Sequence, residues 1–278
     1  MNNLPQRYGE YAVVTGASSG IGEQFAHQLA ASGLHLVLVA RGKDRLDALG
    51  KELTSRYRIR TESVAVDLFA DGAVDELLRR TEHLDVGMVI PNAGNFVAGA
   101  FLHNDLAAEL DVLKLNTSVP MQLAHEYGRR FADRGRGAII LVSSTVGAAP
   151  APYLANYGAA KAYILSLGQA LNLEYRKLGV DLLVVTPGPT ATPAVANADG
   201  IDFRRLPVPM SAPEKVARVA LRNLGRRGHV VVGTPNKFMD LMGKFLMPRP
   251  VSTKVYGWLI FRALDEDNRV LTRPVRGA

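Results

Sequence analysis

The sequence predicts a single doubly wound α/β domain built on a parallel sheet of about seven strands, and three observations lead there. Short runs rich in Val, Ile and Leu, with no polar alternation, recur along the chain, as expected of strands buried on both faces. Helix-length amphipathic stretches separate them, which calls for parallel strands joined by right-handed crossovers. A tight glycine turn follows the first run directly, at the kind of strand–helix junction where such sheets bind ligands.

The runs are YAVVT (11–15), HLVLVA (35–40), SVAVDL (63–68), VGMVIP (86–91), AIILVS (138–143), DLLVVT (181–186) and HVVVG (229–233). Helices are expected between them over 20–32, 42–56, 72–82, 105–132, 154–178 and 211–224. The fold so described is Rossmann-like.

Two regions break the alternation. Residues 187–210 carry five prolines and two glycines after the carboxyl end of a strand. An insertion of that length at that place is expected to contact substrate. Beyond the last strand, Phe238, Leu241, Met242, Phe245 and Leu246 recur at i, i+3, i+4, i+7 and i+8, one apolar helix face, before Pro248 and Pro250. A second stretch, 251–264, offers Val255, Trp258, Leu259 and Phe261 beside Lys254 and Arg262. The chain therefore reads as a dinucleotide-binding catalytic domain over 1–234 and a helical extension over 235–278. The extension is expected to pack on that domain or on a partner subunit, or to close over the substrate. Its basic and aromatic flanks leave peripheral membrane contact as the lesser alternative.

Composition narrows the function. The 278 residues, 47% hydrophobic and 21% charged, can bury a sizeable core without staples. The absence of cysteine excludes disulfides, thiolate metal sites and cysteine nucleophiles. Six histidines lack metal-ligand spacing, so no metal is expected. The net charge of +7 comes from scattered basic residues such as Arg129, Arg130, Arg134, Arg136, Arg226 and Arg227. No nucleic-acid motif accompanies them, and a basic surface that attracts an anionic cofactor is the simpler reading. No uncharged stretch approaches the roughly 18 residues of a transmembrane helix. With no apolar leader before the first strand, a cytoplasmic location is expected.

The chemistry sits in four places. In TGASSGIG, residues Gly16, Ser18, Ser19, Gly20, Ile21 and Gly22 form a turn whose amides, with the following helix N-terminus, suit a pyrophosphate. The Lys-Ser/Thr of a nucleotide-hydrolysing loop is missing. Arg41, nineteen residues past Gly22 (41 − 22), ends the second strand where an NAD-selective site would carry an acid. An arginine there suits a 2′-phosphate, so NADP(H) is favoured over NAD(H). Asp67 either accepts from the adenine amino group or caps a turn. Tyr157 and Lys161 share a helix face at i and i+4, thirteen residues after Ser144 (157 − 144). An ammonium beside the phenol would lower its pKa towards the working range of a general acid or base.

With these motifs in order, the chain resembles the short-chain dehydrogenase/reductase family. TGASSGIG is similar to the family's Thr-Gly-x-x-x-Gly-x-Gly. PNAG (91–94) resembles its Asn-Asn-Ala-Gly, with Pro91 replacing the first asparagine and Asn92, Ala93 and Gly94 matching. Asn116 in LNTS, Ser144, Tyr157 and Lys161 match its catalytic residues. PGPTAT (187–192), with Pro187, Gly188, Thr190 and Thr192, matches its cofactor-binding Pro-Gly segment.

The resemblance implies an NADP-dependent oxidoreductase that interconverts a ketone or aldehyde and an alcohol, working as a homodimer or homotetramer. Tyr157 would be the general acid/base, Lys161 its electrostatic partner and a ribose ligand. Ser144 would hold the substrate oxygen, and Asn116 a water leading to solvent. The substrate wall is expected among Phe96, Val146, Tyr153, Pro189 and residues 193–209, which suits an apolar substrate. Arg204 and Arg205 could instead hold a carboxylate or a carrier phosphate. An NAD-dependent dehydrogenase of the same fold, or a non-catalytic NADP-binding regulator, are the alternatives.

Overall fold

The computed structural model describes residues 3–245 and 247–269. Seven strands form one parallel sheet: β1 (Tyr11–Thr15), β2 (His35–Ala40), β3 (Thr61–Ala65), β4 (Val86–Ile90), β5 (Gly137–Val142), β6 (Val180–Thr186) and β7 (His229–Val231). Their order is β3-β2-β1-β4-β5-β6-β7. The order reverses between β1 and β4, so a crevice opens beyond their carboxyl ends.

The unbroken apolar runs are explained by helices on both faces. On one face α2 (Gly20–Ala30), α3 (Lys43–Tyr57) and α9 (Pro213–Asn223) bury Phe25, Leu29, Leu46, Leu53 and Val216 against Val14, Leu36 and Leu38. On the other, α4 (Ala73–Arg80), α6 (Val119–Asp133) and α7 (Ala155–Arg176) bury Leu77, Leu123, Phe131 and Ile164 against Val13, Val37 and Val89. Each such side chain contributes about 1.5–3 kcal/mol through removal from water. An N-terminal turn, α1 (Leu4–Tyr8), was not expected from the sequence; Tyr8 anchors it by donating to Asp181 Oδ2 at 2.7 Å.

Three expected elements differ. The third strand begins two residues early and ends at Ala65, because its one neighbour β2 ends at Ala40, whose carbonyl accepts the closing bond from Val66 N. The helix expected over 105–132 is interrupted: α5 (Leu106–Leu113) passes through a π turn, Lys114–Ser118, into α6. The side chains of Asn116 and Thr117 donate to the carbonyls of Val112 and Leu113, the acceptors their own amides would use in an α-helix. Pro120 has no N–H to return to Asn116, so the regular ladder cannot close there. The insertion 187–210 contains two short helical turns, α8 (Pro193–Ala196) and a 3-10 turn (Phe203–Arg205). Bridges Thr190↔Ser211 and Ile201↔Leu264 tie it at its base and to the C-terminal region.

That region forms α10 (Thr234–Phe245) and α11 (Arg249–Ala263). Ile260, Ala263 and Leu264 join Ala151, Leu154 and Ile201 in a third, smaller core under the insertion. On α10 two residues of the expected apolar face, Phe238 and Leu241, are exposed, and Met242 is half-buried. Leu246, the side chain of Phe245 and residues 270–278, which completed that expectation, lie outside the described residues.

Candidate active site

A cleft of about 1060 Å³ opens over the carboxyl ends of β1 and β4 and runs from Arg41 to the C-terminal helices. Its first arm is walled by the glycine turn. Gly16 has φ +65°, which a side chain rarely adopts, and a Cβ on Gly22 would collide with the Gly16 carbonyl. Ser18, Ser19, Gly20 and Ile21 line the same wall, and Ser19 occupies the N-cap of α2. The helix thus turns its first amides and its positive end towards the cleft. Across it, Thr15 Oγ1 accepts from the amides of Asn92 and Ala93, and Asn92 Nδ2 donates to Thr15 O, all at 3.0 Å. These bonds fix the Asn92–Gly94 segment, where Pro91 costs nothing because β4 has already ended at Ile90.

Arg41, Lys43 and Arg45 line the far end of this arm, with the Arg41 guanidinium 5.9 Å from the Phe69 ring centre. Lys43 is held by Asp47 at 2.5 Å. Asp67 also lines the cleft, and its Oδ1 accepts from Phe69 N at 3.1 Å, the turn-capping role.

The catalytic candidates converge at the foot of the cleft. The two serines differ in their bonds. Both border the cleft, but Ser143 Oγ donates to Lys161 O at 2.8 Å, whereas Ser144 hydrogen-bonds the Tyr157 phenol. Lys161 is buried, its Nζ donating to Val142 O at 2.9 Å and lying 5.6 Å from the centre of the Tyr157 ring. Burial lowers Lys161 to about 8. Burial also raises Tyr157 to about 12, and the bond from Ser144 works against that rise. The lowering of the phenol expected from Lys161 is not seen: desolvation dominates, and the Ser144 bond alone opposes it.

The π turn carries Asn116 into this group. Its Nδ2 donates to Asn95 O at 2.8 Å and Val112 O at 2.9 Å. Its Oδ1 is the one buried side-chain polar atom without a partner among the described residues. That oxygen points at Gly94, on the side where Lys161 Nζ lies. An orphaned buried acceptor costs about 1–3 kcal/mol, so its retention marks a site that needs it.

Pro187, Gly188, Thr190 and Thr192 border the arm between cofactor and substrate ends. Thr190 Oγ1 donates to Gly188 O, and Thr192 Oγ1 accepts from Val195 N, so both hydroxyls also brace the loop.

Sequence reasoning missed two sets of residues. Asn156, beside Tyr157, donates to Glu109 O and Oε2, and Glu109 Oε1 accepts from Asn104 Nδ2 at 2.6 Å. This buried carboxylate pins the first turn of α7 to α5; an acid within the apolar pattern of an expected helix was the available signal. The substrate arm is closed by Met239, Tyr256, Leu259 and Ile260 from the C-terminal helices. Tyr256 Oη donates to Thr145 O at 3.2 Å, next to Ser144.

Of the expected wall, Phe96, Val146 and Pro189 line the cleft together with Phe203, Leu206 and Val208. Tyr153 does not: at φ +67° it turns its ring towards Phe261, 5.7 Å away. Arg204 and Arg205 also lie outside, held by Asp202 and, for Arg205, Asp265.

The short chain dehydrogenase family model matches residues 10–200. The chain belongs to that family. The 7beta-hydroxysteroid dehydrogenase of Mediterraneibacter gnavus is 32% identical over 236 residues, 84% of this chain and 90% of its own. A structure from a study of 7beta-hydroxysteroid dehydrogenase stereoselectivity superposes with a TM-score of 0.84 at 29% identity, covering 92% of this chain and 99% of its own. A short-chain dehydrogenase from Sphingobium yanoikuyae in complex with NADPH gives 0.75 at 33% identity, covering 84% and 92%. The chain is thus an oxidoreductase acting on CH–OH or C=O groups, as short-chain dehydrogenases are. The glycine cradle and the orphaned Asn116 Oδ1 fit the nicotinamide dinucleotide that the family implies.

Proposed function

We propose that this short-chain dehydrogenase interconverts a bulky apolar ketone, of the size and kind of a steroid, and its secondary alcohol, with NADP(H) as the preferred cofactor. One observation carries the reading: Ser144, Tyr157 and Lys161 stand where the arm walled by the glycine turn and ending in Arg41 meets an apolar arm of Phe96, Phe203, Leu206, Met239 and Leu259. When bound, the nicotinamide supplies or accepts the hydride.

The protein's own groups handle the oxygen and its proton. The hydroxyls of Ser144 and Tyr157 donate to the carbonyl oxygen and orient it. As negative charge grows on that oxygen, the phenol gives up its proton, and the Lys161 ammonium stabilises the phenolate that remains. Asn116 Oδ1, beside Lys161, suits a water through which the proton is replaced. In the oxidising direction each transfer reverses, with Tyr157 as base. The apolar arm keeps bulk water from the reacting carbon.

Preference for NADP(H) is supported by Arg41, with Arg45 alongside, and by the absence of an acid at position 41. A homodimer is supported by an exposed apolar stripe, Leu106, Leu110 and Leu113 on α5 with Met121 on α6, beside Tyr163 and Leu173 on α7. The test is a panel of hydroxysteroids, their ketones and small acyclic ketones, each assayed with NADPH and NADH. The reading expects turnover of the bulky apolar ketones, fastest with NADPH. Turnover confined to small or charged carbonyls would refute the substrate class.

A further inference from the structure

We infer that the outer face of α10 and α11 docks on an anionic lipid bilayer and turns the mouth of the substrate arm towards it. The chemistry of that face carries the inference. Trp258 is 55% exposed, Phe238 61% and Leu241 54%, with Val251 and Phe261 also in solvent. Isolated exposed apolar residues need no explanation, but five large ones on two successive helices do.

On α11, Val251, Lys254, Trp258, Phe261 and Arg262 follow spacings of three, four, three and one, so they form one stripe in which cations alternate with apolar side chains. The Arg262 guanidinium lies 4.8 Å from the Trp258 ring centre. From 234 to 263 the sequence holds five basic residues (Lys237, Lys244, Arg249, Lys254 and Arg262) against one acid, Asp240. Aromatic and aliphatic side chains ringed by lysine and arginine are the composition that seats a helix in the headgroup region of an anionic membrane. No described helix is long and apolar enough to cross a membrane, so the contact is peripheral.

The charge also argues against a second copy as the occupant. A two-fold contact would press the cationic face that carries Lys237, Arg249 and Lys254 against its own copy, whereas the leucine stripe on α5 offers an apolar face on which Lys114 is neutralised by Asp71 at 2.7 Å. Continuity with the cleft gives the face a use. The inner sides of the same helices carry Met239, Tyr256, Leu259 and Ile260, which line the substrate arm. An apolar substrate dissolved in the bilayer would then enter without crossing water. That last step rests on the substrate class proposed above; the docking itself does not.

Trp258 is the only tryptophan, so its emission reports on this face alone. Full-length protein, without substrate or cofactor, is mixed with vesicles of phosphatidylcholine, with or without phosphatidylglycerol, and scored by co-sedimentation and Trp258 fluorescence. Binding to the phosphatidylglycerol vesicles is expected, with a blue shift, quenching by brominated acyl chains and weakening by salt. The variant Lys237→Glu/Lys254→Glu should bind roughly tenfold or more weakly. Phe238→Ser/Leu241→Ser should lose the remaining salt-resistant binding, and both should keep wild-type turnover of a water-dissolved ketone. Unchanged Trp258 emission with anionic vesicles would overturn the inference. So would binding insensitive to both variants, or an emission shift that follows protein concentration without lipid, which would assign the face to a second copy.

Discussion

The two arms of the cleft are made of different material. At the carboxyl ends of β1 and β4 the wall is mainly main chain: a glycine turn, the amides at the start of α2, and the Asn92–Gly94 segment bonded to Thr15. The substrate arm is walled by side chains drawn from Phe96, the insertion 187–210, α10 and α11. Recognition by backbone demands particular residue types at particular spacings. An apolar wall demands only volume and hydrophobicity, which many sequences satisfy. Ser144, Tyr157 and Lys161, the proposed catalytic residues, line the cleft where the two meet.

This contrast predicts effects that separate by arm. At the junction both should fail: Lys161→Met is expected to lower kcat by about a thousandfold or more, measured by cofactor absorbance under saturating ketone. The pH profile follows from the same pair. Reduction uses the protonated phenol and the Lys161 ammonium, so with Lys161 near 8 and Tyr157 near 12 its rate should be flat up to neutral pH and begin to fall as Lys161 loses its proton above about pH 8. Oxidation needs the phenolate, so it should rise with pH; an oxidation rate that falls between about pH 6 and 9 would contradict the assignment.

On the cofactor arm, Arg41→Asp should raise the KM for NADPH by roughly tenfold to a hundredfold, as loss of a charge-assisted contact implies, and leave the ketone KM alone. Behind the junction, Glu109→Ala strands the amides of Asn104 and Asn156. It should cost about 1–3 kcal/mol of stability by denaturant titration and slow turnover by loosening the first turn of α7. The smallest effect belongs to the substrate arm. Tyr256→Phe removes one hydrogen bond to Thr145, worth about 0.5–1.5 kcal/mol, so the ketone KM should rise a few-fold with NADPH affinity unchanged. A Tyr256→Phe effect on NADPH affinity alone would erase the distinction between the arms.

The same contrast explains what could be read from the sequence. The seven strands were legible because burial on two faces leaves continuous Val, Ile and Leu runs, and only their ends moved. The glycine turn, Ser144 and the Tyr157–Lys161 pair could be read from residue type and spacing, whereas Asn116 was carried only by the family resemblance; the structure brings them to one cleft. The π turn was not anticipated, although Pro120 inside an expected helix signalled a break in the ladder. Tyr153, Arg204 and Arg205 were misplaced because the ring position and ion pairs that take them out of the cleft depend on Phe261, Asp202 and Asp265. Met239, Tyr256 and Leu259 carried only an apolar period, which cannot say whether a face meets a core, a substrate or a membrane.

The central claim is that Tyr157 moves the proton in a site that otherwise binds both ligands normally. Its most direct test is single-turnover reduction of a bulky apolar ketone by Tyr157→Phe, with NADPH and ketone affinities titrated on the same protein. The account predicts affinities within a few-fold of wild type and a reduction rate lower by about a hundredfold to ten-thousandfold. A variant that reduces the ketone at the wild-type rate would contradict it.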